Sequence, residues 1–396
     1  MKFEEVVGQD DIKTKLVAQV NAGKSAHAIL FAGNEGTGGL AMALALSQFL
    51  VCEKRNNATS NDGGLFGAAT HEPVLMNDSC GVCPACNKSA KLIHPDIHFT
   101  FPAIKKDPKD AGVSSEFINE WRQAVASQPY MNLNDWMQSI NAENKQGNIN
   151  TAECKEIIRQ ISLKSFESPF KIQIIWMGET LRESGNILLK LIEEPPANTI
   201  FILVVEQIDL VLPTVLSRTQ IVKLPPVSVS SIENYLQNAK NIAAENANKI
   251  ARLADGNVRM AIQLTELQTN EYHEILQKWF SASARLLSSA KGEASSTLGQ
   301  LTENFQKMGR ENQKGFLLYA SWFLREILLL SQNLNSEKLL DEELSYAQKV
   351  ATRMDVQKVK KMNSLLNDSI YHIERNSNPK VTFYSLSFKL CHIFNE

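Results

Sequence analysis

Four cysteines and one glycine-rich loop hold most of the potential chemistry of this chain. Cys80, Cys83 and Cys86 recur at a two-residue spacing in "CGVCPAC". That run delivers three thiolates from one turn-rich segment, and a closed tetrahedral zinc site needs one more ligand. Cys52, at the end of the preceding helical pattern, can be the fourth. The long stretch between it and Cys80 leaves His71 and His94 as alternatives. The loop "GNEGTGGL" keeps the glycines of a phosphate-cradling pattern, Gly33 and Gly38, but has Gly39 in place of the phosphate-binding lysine and Leu40 in place of the magnesium-holding hydroxyl. Glycine-rich turns also occur without any ligand, so the loop alone leaves both readings open. A later apolar run, "KIQIIWMGE", reaches Trp176 and Met177 where loop ATPases place paired acids, and Glu179 stands displaced beyond a glycine. With neither lysine nor acid pair, no ATP hydrolysis by this chain is expected.

These residues need elements to hold them. Apolar spacing at Ile12, Leu16, Val17 and Val20 predicts a helix over 9–22. "HAILFAG", the loop and "LAMALALSQFL" then read as strand, loop and helix. Residues 53–79 are polar and aperiodic, an excursion from the core. "HPDIHFTFPA" reads as a strand, "SSEFINEWRQAVAS" as a helix opened by a serine cap, and "TAECKEIIRQISLKS" as a helix with threonine at its start. "KIQIIWMG", "NTIFILVV" and "QIVKLPP" are continuous apolar runs, separated by helical segments such as "GNILLKLIEE". Uninterrupted apolar strands alternating with helices predict an α/β core whose parallel sheet is covered on both faces.

Pro225 and Pro226 mark a change, after which the pattern is helical throughout. A softer break falls near 268–275. The expected division is a core over 1–225 with a zinc module at about 52–90, a small helical lid over 226–270 and an all-α C-terminal domain over 271–396. The apolar stretch 315–333 is interrupted by charge just before and within it, at Lys314 and Arg325, which suits a helix buried in a bundle or an interface rather than a membrane. Cys154 and Cys391 sit in helical patterns as core residues, and His94 reads as a structural histidine.

A net charge of −2 gives no globally basic surface for nucleic acid. The acidic N-terminal stretch "MKFEEVVGQDD" is unlike a secretory signal, and with no apolar run of membrane-spanning length the expectation is a cytoplasmic protein. Clustered cysteines in a reducing compartment favour metal over disulfides.

"VGQDDIKTKL", the loop after "HAILFAG", the four cysteines, "HPDIHF", "NILLKLIEEPP", "LPTVLSR" and "ADGNVRMAIQL" occur in this order. Over roughly residues 1–270 they resemble bacterial clamp-loader subunits of the AAA+ superfamily. The resemblance implies a P-loop-type AAA+ core, a helical lid and a C-terminal helical collar. It further implies membership of a ring that loads the sliding clamp onto primed DNA for DNA polymerase III, beside gamma/tau and delta subunits. The eroded ATP motifs are closer to the delta-prime type of subunit than to the gamma/tau motor, and no intrinsic ATPase is expected although the whole complex is a polymerase. The resemblance places Ser217 and Arg218 on a Ser-Arg-Cys motif whose arginine reaches a neighbouring subunit's ATP; here Thr219 replaces the cysteine. It also makes Arg259 a relic of a nucleotide-contacting lid arginine, and it places a four-cysteine zinc module at Cys52, Cys80, Cys83 and Cys86. Two other readings are an active AAA+ motor, which should carry the missing lysine and acids, and a zinc-dependent nucleic-acid binder, which should carry a basic stripe.

Overall fold

The computed structural model describes residues 1–57, 75–107, 110–142, 145–266, 269–287, 291–332, 334, 339, 341–375 and 377–396. They form two compact units, Met1–Tyr235 with Asp255–Arg259, and Leu236–Ala254 with Met260–Glu396.

The first unit is built on five parallel strands: β1 (Ala28–Ala32), β2 (Ile97–Thr100), β3 (Lys171–Trp176), β4 (Thr199–Val205) and β5 (Gln220–Lys223), in the order β2-β3-β4-β1-β5. β1, β3 and β4 are buried at every residue, which is why they read as apolar runs, with only Lys171 and Gln173 interrupting β3. The edge strands β2 and β5 are only partly buried. Register pairs Ala28 with Phe201, Lys171 with Thr199 and Ile29 with Gln220. That alignment brings the carboxyl ends of β1 and β4 side by side, where the glycine loop leaves the sheet.

Helix α1 (Asp10–Asn21) precedes the sheet, and α2 (Gly39–Val51), α3 (Glu53–Asn57), α4 (Pro84–Ala90), α5 (Ile118–Ser127), α6 (Leu133–Ser139), α7 (Thr151–Ser162), α8 (Leu189–Glu193) and α9 (Pro213–Leu216) connect the strands. α2 is buried along almost its whole length, as a helix between sheet and outer layer must be. Two expected caps take other forms. Ser114 opens a short 3-10 turn, and its hydroxyl bonds both the carbonyl and the N–H of Phe101, each at 3.0 Å. α7 is capped by Asn150, one residue before Thr151, whose side-chain oxygen accepts from the Glu153 N–H at 3.0 Å. Asparagine caps at least as well as threonine, so the neighbour took the role.

α10 (Val229–Lys240) and α12 (Val258–Glu266) each straddle the division between the units, whereas α11 (Ala244–Leu253) belongs to the second. That unit continues with α13 (Thr269–Arg285), α14 (Lys291–Lys307), α15 (Arg310–Ser331), α16 (Asp341–Ala351), α17 (Val356–Glu374) and α18 (Pro379–Asn395). α15 buries Phe316, Leu317, Ala320, Phe323, Leu324 and Ile327 on one face, so the apolar stretch is bundle core. Trp279 stacks on Phe383 at 4.9 Å and donates from Nε1 to Ser387 Oγ at 2.8 Å. Among the described residues no helix is long and apolar enough to cross a membrane.

Candidate functional site

The glycine loop leaves β1 at Ala32 and enters α2 at Gly39. Gly36 and Gly38 lie in the left-handed region, at φ 74° and 94°, and a Cβ on Gly33 would come within 2.5 Å of Thr37 Oγ1. The turn itself therefore demands glycine, with or without a ligand. At Gly39 a Cβ would stand 2.8 Å from Val204 Cγ1 on β4, so a lysine there would have to displace the sheet's own valine. Leu40 is buried and faces the core.

The space above the loop is closed by residues of the same unit. A Cβ at Gly36 would collide with the Asn257 carboxamide, and the Val258 N–H donates to the Gly36 carbonyl at 3.0 Å. Gln9 Nε2 donates to the carbonyls of Thr37 and Pro225, at 3.2 and 2.7 Å. Arg259 is 1% exposed. Its Nε and Nη2 donate to the two oxygens of Asp135 at 2.5 and 2.6 Å, and its Nη1 donates to Glu35 Oε1 at 2.9 Å. Asp135 also caps α6, accepting from the Asn132 N–H at 3.0 Å. A guanidinium so placed gives carboxylates the fork of donors that it could otherwise give phosphate.

Further acids surround it. Burial, together with the charges of Glu35 and Glu179, pushes the Glu206 carboxyl up to about 8. Glu179 is raised by burial too, and its Oε1 accepts from the N–H groups of Glu206 and Gln207 at 3.1 and 3.3 Å. The displaced carboxylate thus fastens the turn after β4. Trp176, where a metal-binding acid would stand, is buried with its ring centroid 5.1 Å from that of Trp121. Sequence reasoning missed Glu35, Asp135 and Glu206. Only Glu35 carried a readable signal, as an acid inside a loop that in a nucleotide site would face phosphate.

Ser217, Arg218 and Thr219 follow α9 on the same unit. Arg218 Nε donates to Glu193 Oε2 at 2.7 Å, and Nη1 donates to the Thr214 carbonyl at 3.0 Å and to Ser217 Oγ at 3.3 Å. The arginine side chain is 32% exposed and its carboxylate partner 55%.

The four cysteines converge. Cys52 follows α2, Cys80 lies in the turn before α4, Cys83 is the N-cap of α4 and Cys86 lies in its first turn. All four sulfurs lie within 4.8 Å of one another, and Cys80 Sγ and Cys86 Sγ are 3.9 Å apart. A tetrahedron with zinc–sulfur bonds of about 2.3 Å has edges of about 3.8 Å. The N–H groups of Cys80, Cys83 and Cys86 donate in turn to the sulfurs of Cys52, Cys80 and Cys83, each at 3.4 Å, an arrangement that favours thiolate. A hydrogen bond from Cys86 brings the Cys52 thiol down to about 4, and the same contact together with burial drives Cys86 upward. Crowded sulfurs divide their charge in this way, and a divalent cation lets all four ionise. His94 lies outside the group: its Nδ1 accepts from the Asp96 N–H at 3.1 Å, and its Nε2 is 3.3 Å from Glu167. His71 falls outside the described residues. Cys154 and Cys391 are buried, as expected.

Sequence comparison adds a family to this geometry. Residues 8–228 match the family described as DNA polymerase III, delta subunit. The DNA polymerase III subunit tau of Salmonella typhimurium is 25% identical across 67% of this chain and 32% of its own length. The gamma subunit of Buchnera aphidicola is 26% identical across 68% of this chain and 59% of its own, and the delta' subunit of Bacillus subtilis 25% identical across 65% and 59%. The chain therefore spans from about a third to three fifths of the length of these curated relatives, and gamma/tau and delta' are equally near. Since the matched segment runs through the parallel sheet, the glycine loop, the four cysteines and Arg218 and covers more than half of the sequence, this chain belongs to the DNA polymerase III delta-subunit family of clamp-loader proteins.

Proposed function

We propose that this chain is a non-hydrolysing, delta-prime-like subunit of a clamp loader. In this reading it joins gamma/tau and delta subunits in the cytoplasm, helps form the ring that loads the sliding clamp onto primed DNA, and lends Arg218 to a neighbour's ATP. Residues 1–225 serve as the core, 226–270 as the lid and 271–396 as the collar. The Ser217 hydroxyl accepts from Nη1 of the arginine and helps to hold the guanidinium. Cys52, Cys80, Cys83 and Cys86 hold a structural zinc, which ties the end of α2 to α4 and carries no chemistry of its own.

The observation that supports the reading best is the commitment of Arg259 to Asp135 and Glu35. Nucleotide phosphates would have to displace two carboxylates from a buried guanidinium, next to further acids and without a lysine to draw them in. The alternative, a gamma/tau-like motor, needs that cleft open. Magnesium-dependent ATP hydrolysis and equilibrium ATP binding by the purified chain separate the two readings. Neither is expected, and robust turnover by the chain alone would make it a motor. Metal analysis should give about one zinc per chain, lost in Cys83→Ser; folded, metal-free wild-type protein would remove the zinc assignment.

A further inference from the structure

Arg218 meets the end of α8 through a contact that the sequence motif does not announce. Glu193 is the last residue of α8, where a negative charge opposes the helix dipole, so the helix gains nothing from a carboxylate there. Its Oε2 instead takes the Nε–H of Arg218 at 2.7 Å, while the Thr214 carbonyl and Ser217 hydroxyl take Nη1. Three restraints on two nitrogens fix the plane of the guanidinium. Nη2 makes no hydrogen bond among the described residues, and the side chain remains partly open to solvent. A donor group held in orientation, with one nitrogen unspent, is preorganised for an anionic acceptor arriving from outside the chain.

The geometry points to Glu193 as the positioning residue for Arg218: it holds the guanidinium so that Nη2 is presented to a phosphoryl oxygen of a nucleoside triphosphate bound by an adjacent subunit. The inference rests on the reading of Arg218 given above. Glu193 itself touches no nucleotide. Because Glu193 is exposed and Arg218 partly so, the pair adds little to stability, and its removal should leave the fold intact. A neutral glutamine keeps an oxygen to accept from Nε, so Glu193→Gln separates acceptance of that hydrogen bond from the charge.

The test is steady-state ATP hydrolysis by the reconstituted assembly, with gamma-type subunits supplying the ATP sites, for wild type, Arg218→Ala, Glu193→Ala, Glu193→Gln and the double variant Glu193→Ala/Arg218→Ala. Glu193→Ala should lower kcat about tenfold with KM for ATP unchanged, the loss expected when a reacting group is misplaced rather than removed. Glu193→Gln should recover most of the rate, and the double variant should be no slower than Arg218→Ala. If Arg218→Ala is slow while Glu193→Ala matches or exceeds wild type, or if Glu193→Ala slows the Arg218→Ala background further, the positioning role is overturned and the finger stands. If Arg218→Ala leaves the rate unchanged, both fall together.

Discussion

Arg259 and Arg218 carry the same guanidinium into opposite surroundings. Arg259 is 1% exposed and spends Nε, Nη1 and Nη2 on Asp135 and Glu35, whereas Arg218 is 32% exposed and keeps Nη2 unspent beside one exposed carboxylate. A buried charge must have all its donors met inside the chain, and once they are met it is structural cement. An exposed charge tolerates an unmet donor because water fills the vacancy, so it stays available to an incoming anion at little cost. The same contrast separates the two places where the molecule could handle phosphate. The glycine loop is covered by its own unit, and the end of α9 is not.

Substitution of each arginine in turn probes the contrast most directly. Arg218→Ala should lower ATP hydrolysis of the assembly by up to about a thousandfold, the size of an arginine finger's contribution, without moving the thermal midpoint of the isolated chain. Arg259→Met should do the reverse. It should cost roughly 3 kcal/mol in urea unfolding, the lower end for a broken buried pair because Glu35 and Asp135 are themselves partly exposed, and should leave the chain as unable to bind ATP as before. A stable Arg259→Met protein, or an Arg218→Ala chain that melts early, would erase the distinction.

A smaller effect sharpens the account of the covered cleft. The Glu206 carboxyl is raised from its usual 4.5 to about 8, so between those values the folded chain holds a proton that the unfolded chain has released. Stability should therefore be greatest below that window and fall as pH rises through it, by at most about 1.4 kcal/mol per pH unit for one group. Glu206→Gln should flatten that slope in unfolding measured between pH 5 and 8; an unchanged slope would assign the dependence to other groups. The smallest effect is a null one. Gly39→Lys restores the residue that phosphate loops use, yet it should bring no measurable ATP binding, because Val204 occupies its path and Arg259 stays engaged. Micromolar binding by this single change would show that the cleft lacked only its lysine.

Features generated by local pattern were legible in the sequence. β1 and β4 betray their burial by apolar runs, as β3 does with only Lys171 and Gln173 interrupting, and the spacing of Cys80, Cys83 and Cys86 alone specifies a metal-type knuckle. What escaped was long-range and polar. Asp135 lies in a short helix with no chemical motif, 124 residues from Arg259, and Glu35 is 224 residues away from it. No periodicity links residues so far apart, and an acid in a loop has the same local statistics whether it meets solvent or a buried guanidinium. The Glu193–Arg218 contact stayed hidden for the same reason, although both residues lie in segments that stood out. The α7 cap fell one residue from the expected place because Asn150 and Thr151 are both competent, and only the backbone path decides between them.

The route of the chain bears on how the protein can be dissected. It passes from the first unit to the second after Tyr235, returns at Asp255, and leaves again after Arg259. No single cut can release both units whole. A fragment ending at Tyr235 would lack the five residues that complete its unit, and Glu35 and Asp135 would be left without their shared cation. Limited proteolysis at one bond should accordingly yield fragments that stay together until denatured, and genes split at this point should express poorly as separate halves but complement one another when co-expressed.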